Sequence, residues 1–184
     1  MRIAGIAKPA AGLRQQGFTL IELMVTVAVL AILLALVAPN MSSYWKENRL
    51  VSATEAVYSH MQLGRSVALA RNQDIFIKFG NTGGNSWCMA VSEDNSCDCT
   101  ATPATNCTLT NMPVPILSGI TYPNVIVATS LAADTTSIQM PRGTVSEAGE
   151  VTLSLNSGEV TEVGISVMGR VTICSDDLNQ YQGC

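Results

Sequence analysis

The sequence predicts an α+β fold, in which one long N-terminal helix, half membrane-spanning and half amphipathic, packs on a C-terminal antiparallel β domain of two sheets. Three observations predict it. Residues 18–38 form an almost unbroken apolar run; residues 50–68 repeat apolar side chains every three or four positions; and beyond Asn72 short apolar strands alternate with turn residues. A length of 184 residues allows one ordinary domain plus an appendage, and 47% hydrophobic against 13% charged residues excludes a disordered chain.

The chain opens with a basic segment. Residues 1–17 hold Arg2, Lys8 and Arg14 and no acid, so of the net charge of −4 the part after Gly17, with seven basic residues against fourteen acids, carries −7. The run that follows, FTLIELMVTVAVLAILLALVA, departs from the apolar set only at Thr19, Glu22 and Thr26. A helix of that length rises roughly 31 Å, the thickness of a bilayer's hydrocarbon core. It ends in Pro39 and Asn40 without a small-x-small cleavage site, so the span is expected to stay in the mature chain. Three basic residues precede it, against Lys46 and Arg49 after it, which puts the N-terminus on the cytoplasmic side of a single pass. Glu22 is the one ionisable group inside the span, where a carboxylate costs a few kcal/mol unless it snorkels to the interface or finds a partner. Pro39 removes an amide donor and crowds the preceding turn, so a kink is expected there.

Leu50, Ala53, Val57, Met61, Gly64 and Ala68 mark one face of an amphipathic helix reaching to about Ala70, with Lys46, Glu47, Arg49, Glu55 and Gln62 mostly elsewhere. Strands are expected at 74–79, 87–91, 114–120, 124–129, 137–140, 151–155, 161–167 and 170–174, with turns at 80–86, 156–159 and 168–169 and an irregular stretch at 92–115.

The run Arg14-Gln-Gln-Gly17-Phe18-Thr-Leu-Ile-Glu22 followed by a hydrophobic helix resembles the type IV pilin and pseudopilin family. The resemblance implies that prepilin peptidase cuts between Gly17 and Phe18, that Phe18 is N-methylated, and that Glu22 sets register during assembly. Elementary chemistry is consistent with this. Cleavage turns the Phe18 amide into an amine, positive near neutral pH and one helical turn before Glu22, so processing creates the counter-ion that a carboxylate in low dielectric needs. The implied molecule is a lollipop: leader 1–17, transmembrane and assembly helix 18–38, amphipathic stalk helix 39–71 with its weak point at Pro39, and an exposed β domain 72–184.

Within that family, Leu63-Gly-Arg-Ser-Val-Ala-Leu-Ala-Arg71 and Gly169-Arg-Val-Thr-Ile-Cys174 resemble the GspH/FimT/FimU group of minor pilins and pseudopilins. The resemblance implies a bacterial inner-membrane precursor that is incorporated at the tip or priming complex of a type IV pilus. Its partners would be the major pilin, other minor pilins, the prepilin peptidase, the assembly platform and, before assembly, membrane lipid. Two further roles are implied by members of the group: a GspH-like pseudopilin of a type II secretion system, and a FimT-like DNA-binding minor pilin in natural transformation. The last uses a Gly-Arg-x-Arg motif, of which Gly169 and Arg170 are present while Thr172 stands at the second arginine.

With the N-terminus cytoplasmic, all six cysteines lie in an oxidising compartment and disulfides are expected. Cys174 with Cys184 would close a C-terminal loop, and Cys88, Cys97, Cys99 and Cys107 would form two bridges whose connectivity the spacing leaves open. A direct Cys97–Cys99 link is disfavoured by its strained ring. The four lack a paired C-x-x-C arrangement for zinc. His60, the only histidine, lies on the stalk helix, no phosphate-binding glycine loop follows a strand, and the acids are scattered, so neither an enzyme nor a cofactor or metal site is expected.

Overall fold

The computed structural model describes residues 17–184, except for the side chains at 36–40 and 42. The chain divides into two compact units, Met1–Met41 and Ser42–Cys184. Helix α1 (Leu20–Arg71) supplies the described secondary structure of the first and opens the second.

In the first unit the helix begins at a side-chain cap. The Thr19 hydroxyl accepts from the Glu22 amide at 3.3 Å, and the Thr19 carbonyl accepts from the Leu23 amide at 3.2 Å, so Thr19 is the N-cap and Glu22 the third helical residue. Leu20, Ile21, Leu23, Met24, Val25, Val27, Val29, Leu30, Ile32, Leu33 and Leu34 are all exposed, so every face of this stretch is apolar and uncovered. Among the described residues no helix is long and apolar enough to cross a membrane. The expected span runs on through 36–38, whose side chains lie outside the description, as does that of Pro39, where the kink is expected.

In the second unit the apolar stripe of the sequence becomes the packed face of the helix. Leu50, Ala53, Val57, Met61, Gly64 and Ala68 are buried. Gly64 lets the helix approach the sheet: a Cβ there would lie 3.3 Å from Ile77 Cδ1 and 3.4 Å from Val91 Cγ1. The helix closes with Asn72 at φ 51° and a bond from the Gln73 amide back to the Ala68 carbonyl at 3.3 Å, a left-handed cap.

Two antiparallel sheets follow. The first has the order β3-β2-β1-β5-β6, built from β1 (Ile75–Gly80), β2 (Cys88–Ser92), β3 (Ile116–Ser118), β5 (Thr135–Gln139) and β6 (Thr144–Val145). The second, β4-β7-β8-β9, uses β4 (Val125–Thr129), β7 (Gly149–Leu155), β8 (Val160–Ile165) and β9 (Val171–Cys174). Alternation sets their inner faces: Ile75, Ile77 and Phe79 from β1, Val151, Leu153 and Leu155 from β7, and Val163 and Ile165 from β8 all enter one core with the helix. Trp87 joins the sheets, fully buried, its indole N–H donating to the Val125 carbonyl at 3.0 Å. Thr54 on the helix and Thr161 on β8 share a buried hydroxyl contact of 2.6 Å; Thr54 donates its own proton to the Leu50 carbonyl, so Thr161 is the donor.

The expected fold class is the observed one, with local differences. The strand expected at 114–120 shortens to β3 because Gly119–Thr121 turn into a 3-10 helix capped by the Ser118 hydroxyl. The two-residue β6 was not expected, being too short to show alternation. β2 is buried at every position, since the 93–115 segment covers its outer face: Ser92 and Glu93 both bond the Thr108 carbonyl.

Candidate assembly site

Gly17 and Phe18 lie immediately ahead of the Thr19 cap, in irregular backbone, with Phe18 86% exposed. Glu22 is exposed in the first helical turn, where the unpaired amides of the helix N-terminus favour a negative charge. The rest of the expected leader, residues 1–16, lies outside the described residues. The pattern Thr19-x-x-Glu22 is that of a capping box, a local signal that fixes where the helix starts.

The six cysteines form three disulfides: Cys88–Cys99, Cys97–Cys107 and Cys174–Cys184. The first two overlap in sequence: Cys88–Cys99 binds the 93–107 segment to β2, and Cys97–Cys107 closes that segment on itself. That segment is also held to the end of the helix by charge. Arg71 pairs with Glu93 and donates to the Thr110 carbonyl, while Glu93 accepts from the Thr110 amide at 2.9 Å and from its hydroxyl at 2.8 Å. The Thr110 bonds, followed by the Arg71 charge, hold the Glu93 carboxyl below its ordinary pKa of 4.5.

The C-terminal loop closed by Cys174–Cys184 is tied down internally. The Ser175 hydroxyl donates to the Val160 carbonyl at 2.6 Å, the Asp177 carboxylate accepts from the Val160 amide at 2.8 Å, and Asp176 accepts from the Cys184 amide at 3.0 Å. Tyr181 reaches the helix and donates to Glu55 Oε1 at 3.1 Å. Glu162, Cys174 and Cys184 bring metal-binding atom types together, but both sulfurs are in the disulfide.

Arg170 is exposed on the β8–β9 turn, its amide held by the Ser166 hydroxyl at 3.1 Å. Beside it, Arg65 reaches from the helix to donate to the Gly169 carbonyl at 2.8 Å, a link across 104 residues with no local signal in the sequence. The outer face of the second sheet carries Glu150 and Glu162, with Thr172 opposite Gly164 and Cys174 opposite Glu162.

Residues 12–38 match the prokaryotic N-terminal methylation motif, and residues 53–169, well over half of the chain, match the family described as type II transport protein GspH. The chain belongs to the GspH family. No curated protein matches it. Among solved structures, the type IV minor pilin FimU of Pseudomonas aeruginosa is similar, with a TM-score of 0.54 and 16% identity over 71% of this chain and 91% of that one. This likeness shows that the GspH-family chain has a pilin fold. The family and fold are those of minor pilins and pseudopilins, structural subunits that assemble with other pilins in a type IV pilus or a type II secretion system, and the methylation motif implies a membrane-anchored stage.

Proposed function

We propose that this GspH-family chain is a minor subunit of a bacterial type IV pilus. It is made as a single-pass inner-membrane precursor with its N-terminus in the cytoplasm and the β domain in the periplasm, is cut between Gly17 and Phe18 by prepilin peptidase, is methylated on Phe18, and enters the tip or priming complex. The observation that carries this is the junction itself: Gly17 and an exposed Phe18 stand directly before a capped helix whose apolar side chains are uncovered on every face. A helix apolar all round needs either lipid or other helices to cover it.

Cleavage removes the three basic residues of the leader, and with them the charge that holds the N-terminus on the cytoplasmic side. It also leaves a charged amine beside Glu22. As the helix moves from lipid into a bundle of neighbouring helices, the amine of one subunit pairs with a Glu22, so a misregistered subunit would leave a carboxylate uncompensated in low dielectric. Pro39 lets the helix bend where the apolar half meets the stalk. The major pilin and the assembly platform are the partners, and no cofactor takes part. Two disulfides stapling the 93–107 segment suit a subunit exposed at a filament tip.

The description of the matched family favours a second placement, in a type II secretion pseudopilus, which uses the same N-terminal chemistry. Co-expression with prepilin peptidase should yield a product whose N-terminal peptide begins with N-methyl-Phe18. Glu22→Ala should be processed and inserted normally, yet incorporated into sheared filaments several-fold less than wild type. Uncut precursor, or normal incorporation of the variant, would reject the assignment. Which filament contains the wild-type chain decides between pilus and pseudopilus.

A further inference from the structure

Just past the apolar run, Tyr44 and Trp45 are 61% and 54% exposed, their rings meeting edge to face at a centroid distance of 6.5 Å. Both belong to the Ser42–Cys184 unit, yet neither is in its core, which starts at Leu50. Leaving two adjacent large aromatic rings in water is unfavourable, and a fold that needed them for packing would have turned them inward. Lys46 and Arg49 beside them are also exposed, Lys46 standing over the 155–157 turn of the β domain, where its charge also acts on Glu159. Trp45 and Arg49 are four residues apart on the helix and share a face.

We infer that Trp45 and Arg49, flanked by the exposed Tyr44 and Lys46, form an interfacial anchor that seats the precursor in the periplasmic headgroup layer of the bilayer. This rests on the membrane-anchored stage proposed above and adds the surface that sets its depth. Tyr and Trp, with an apolar body and a polar tip, partition to the headgroup level of a membrane, and Arg49 on the Trp45 face complements anionic lipid phosphates. The distance fits. Tyr44 lies six positions beyond the end of the apolar run at 38, a helical rise of about 9 Å. Helical side chains lean back toward the N-terminus, so the rings reach the headgroup layer, which extends roughly 5–8 Å beyond the hydrocarbon core on each side. The acid among these residues, Glu47, is half-buried and lines a cleft with Asp177, Leu178, Asn179 and Gln180; Tyr44 borders the same cleft, while Trp45 and Arg49 share a different face of the helix. Release of this anchor would then be part of moving a subunit from lipid into a filament.

Trp45 is its own reporter, because Trp87, the other tryptophan, is fully buried. Full-length precursor would be reconstituted in vesicles of phosphatidylethanolamine and phosphatidylglycerol, and the emission of Trp45 taken as the difference between wild type and Trp45→Phe. The expected result is quenching about twofold or more stronger by a nitroxide near the headgroup than by one deep in the acyl chain, with iodide quenching several-fold weaker than that of N-acetyltryptophanamide in the same buffer. If the precursor resists carbonate extraction but Trp45 is quenched by iodide as freely as the small indole, the anchor is wrong while the membrane stage stands. Failure of the precursor to insert at all would overturn both.

Discussion

The phenol of Tyr181 donates to Glu55 Oε1 at 3.1 Å from a loop that lies 126 residues further along the chain. Burial, then this hydrogen bond and the negative charge of Glu55, push its pKa from 10 up to about 12. The folded state therefore holds the proton more tightly than the unfolded one, so the associated stability is full below pH 10 and is lost as pH rises towards about 12. Absorbance titration should show one tyrosine ionising late. In Glu55→Gln that pKa should fall, yet remain above 10 because burial is the larger cause; an unchanged value would show that Glu55 does not act on it. Arg170 is a residue whose surroundings argue in the opposite direction from its motif. Its side chain is exposed, but Thr172 takes the place of the second arginine and the neighbouring sheet face presents Glu150 and Glu162. DNA affinity depends on clustered cations that release counterions. Fragment 42–184 should give no band shift with duplex DNA at low salt; a shift lost in Arg170→Ala would restore DNA binding as a role.

At the scale of elements, the clamp between the helix end and the 93–110 segment is an electrostatic device as well as a covalent one. Glu93 accepts two bonds from Thr110 and pairs with Arg71, and its pKa is lowered. A lowered carboxylate stabilises fully above its ordinary pKa of 4.5 and loses that contribution as pH falls through the lower folded value. Glu93→Gln keeps an acceptor but loses the charge, so it should cost about 1 kcal/mol in denaturant unfolding near neutral pH, roughly the difference between a hydrogen bond to a charged group and one to a neutral group, and the difference should shrink in acid. A difference independent of pH would mean the carboxylate's charge is irrelevant. None of this was legible in the sequence, because Arg71 and Glu93 are brought together only by the path of an irregular segment. The disulfide connectivity was hidden for a related reason: the observed separations of 11 and 10 residues differ little from the 9 and 8 of the alternative Cys88–Cys97 and Cys99–Cys107, so loop length does not discriminate between these pairings. By contrast, the helix stripe from Leu50 to Ala68 could be read position by position, since a 3.6-residue period sustained over five turns fits a helix and no strand. The edge strand β6 could not, because two residues carry no period.

At the scale of the whole molecule, the two units divide the apolar residues by destination. Every member of the buried core, from Leu50 to Leu178, belongs to Ser42–Cys184, while the large apolar side chains between Phe18 and Leu34 are all exposed. The overall excess of hydrophobic residues thus comes largely from a segment that does not contribute to the core, and because that segment is one contiguous apolar run, the anchor could be read directly from the sequence. Its signals, a glycine before an apolar helix and a lone acid within it, are contiguous. If the core is self-sufficient, a fragment beginning at Ser42 should be soluble, monomeric and cooperatively folded without detergent. Its denaturant-derived stability should match that of the same unit in the detergent-solubilised full chain to within about 0.5 kcal/mol, the usual tolerance for additivity between independent parts. Under reducing conditions the fragment should lose stability, as all three disulfides lie within it. A fragment that aggregates while its disulfides are intact, or that unfolds well before the full chain, would show that the apolar helix supports the fold as well as its assembly.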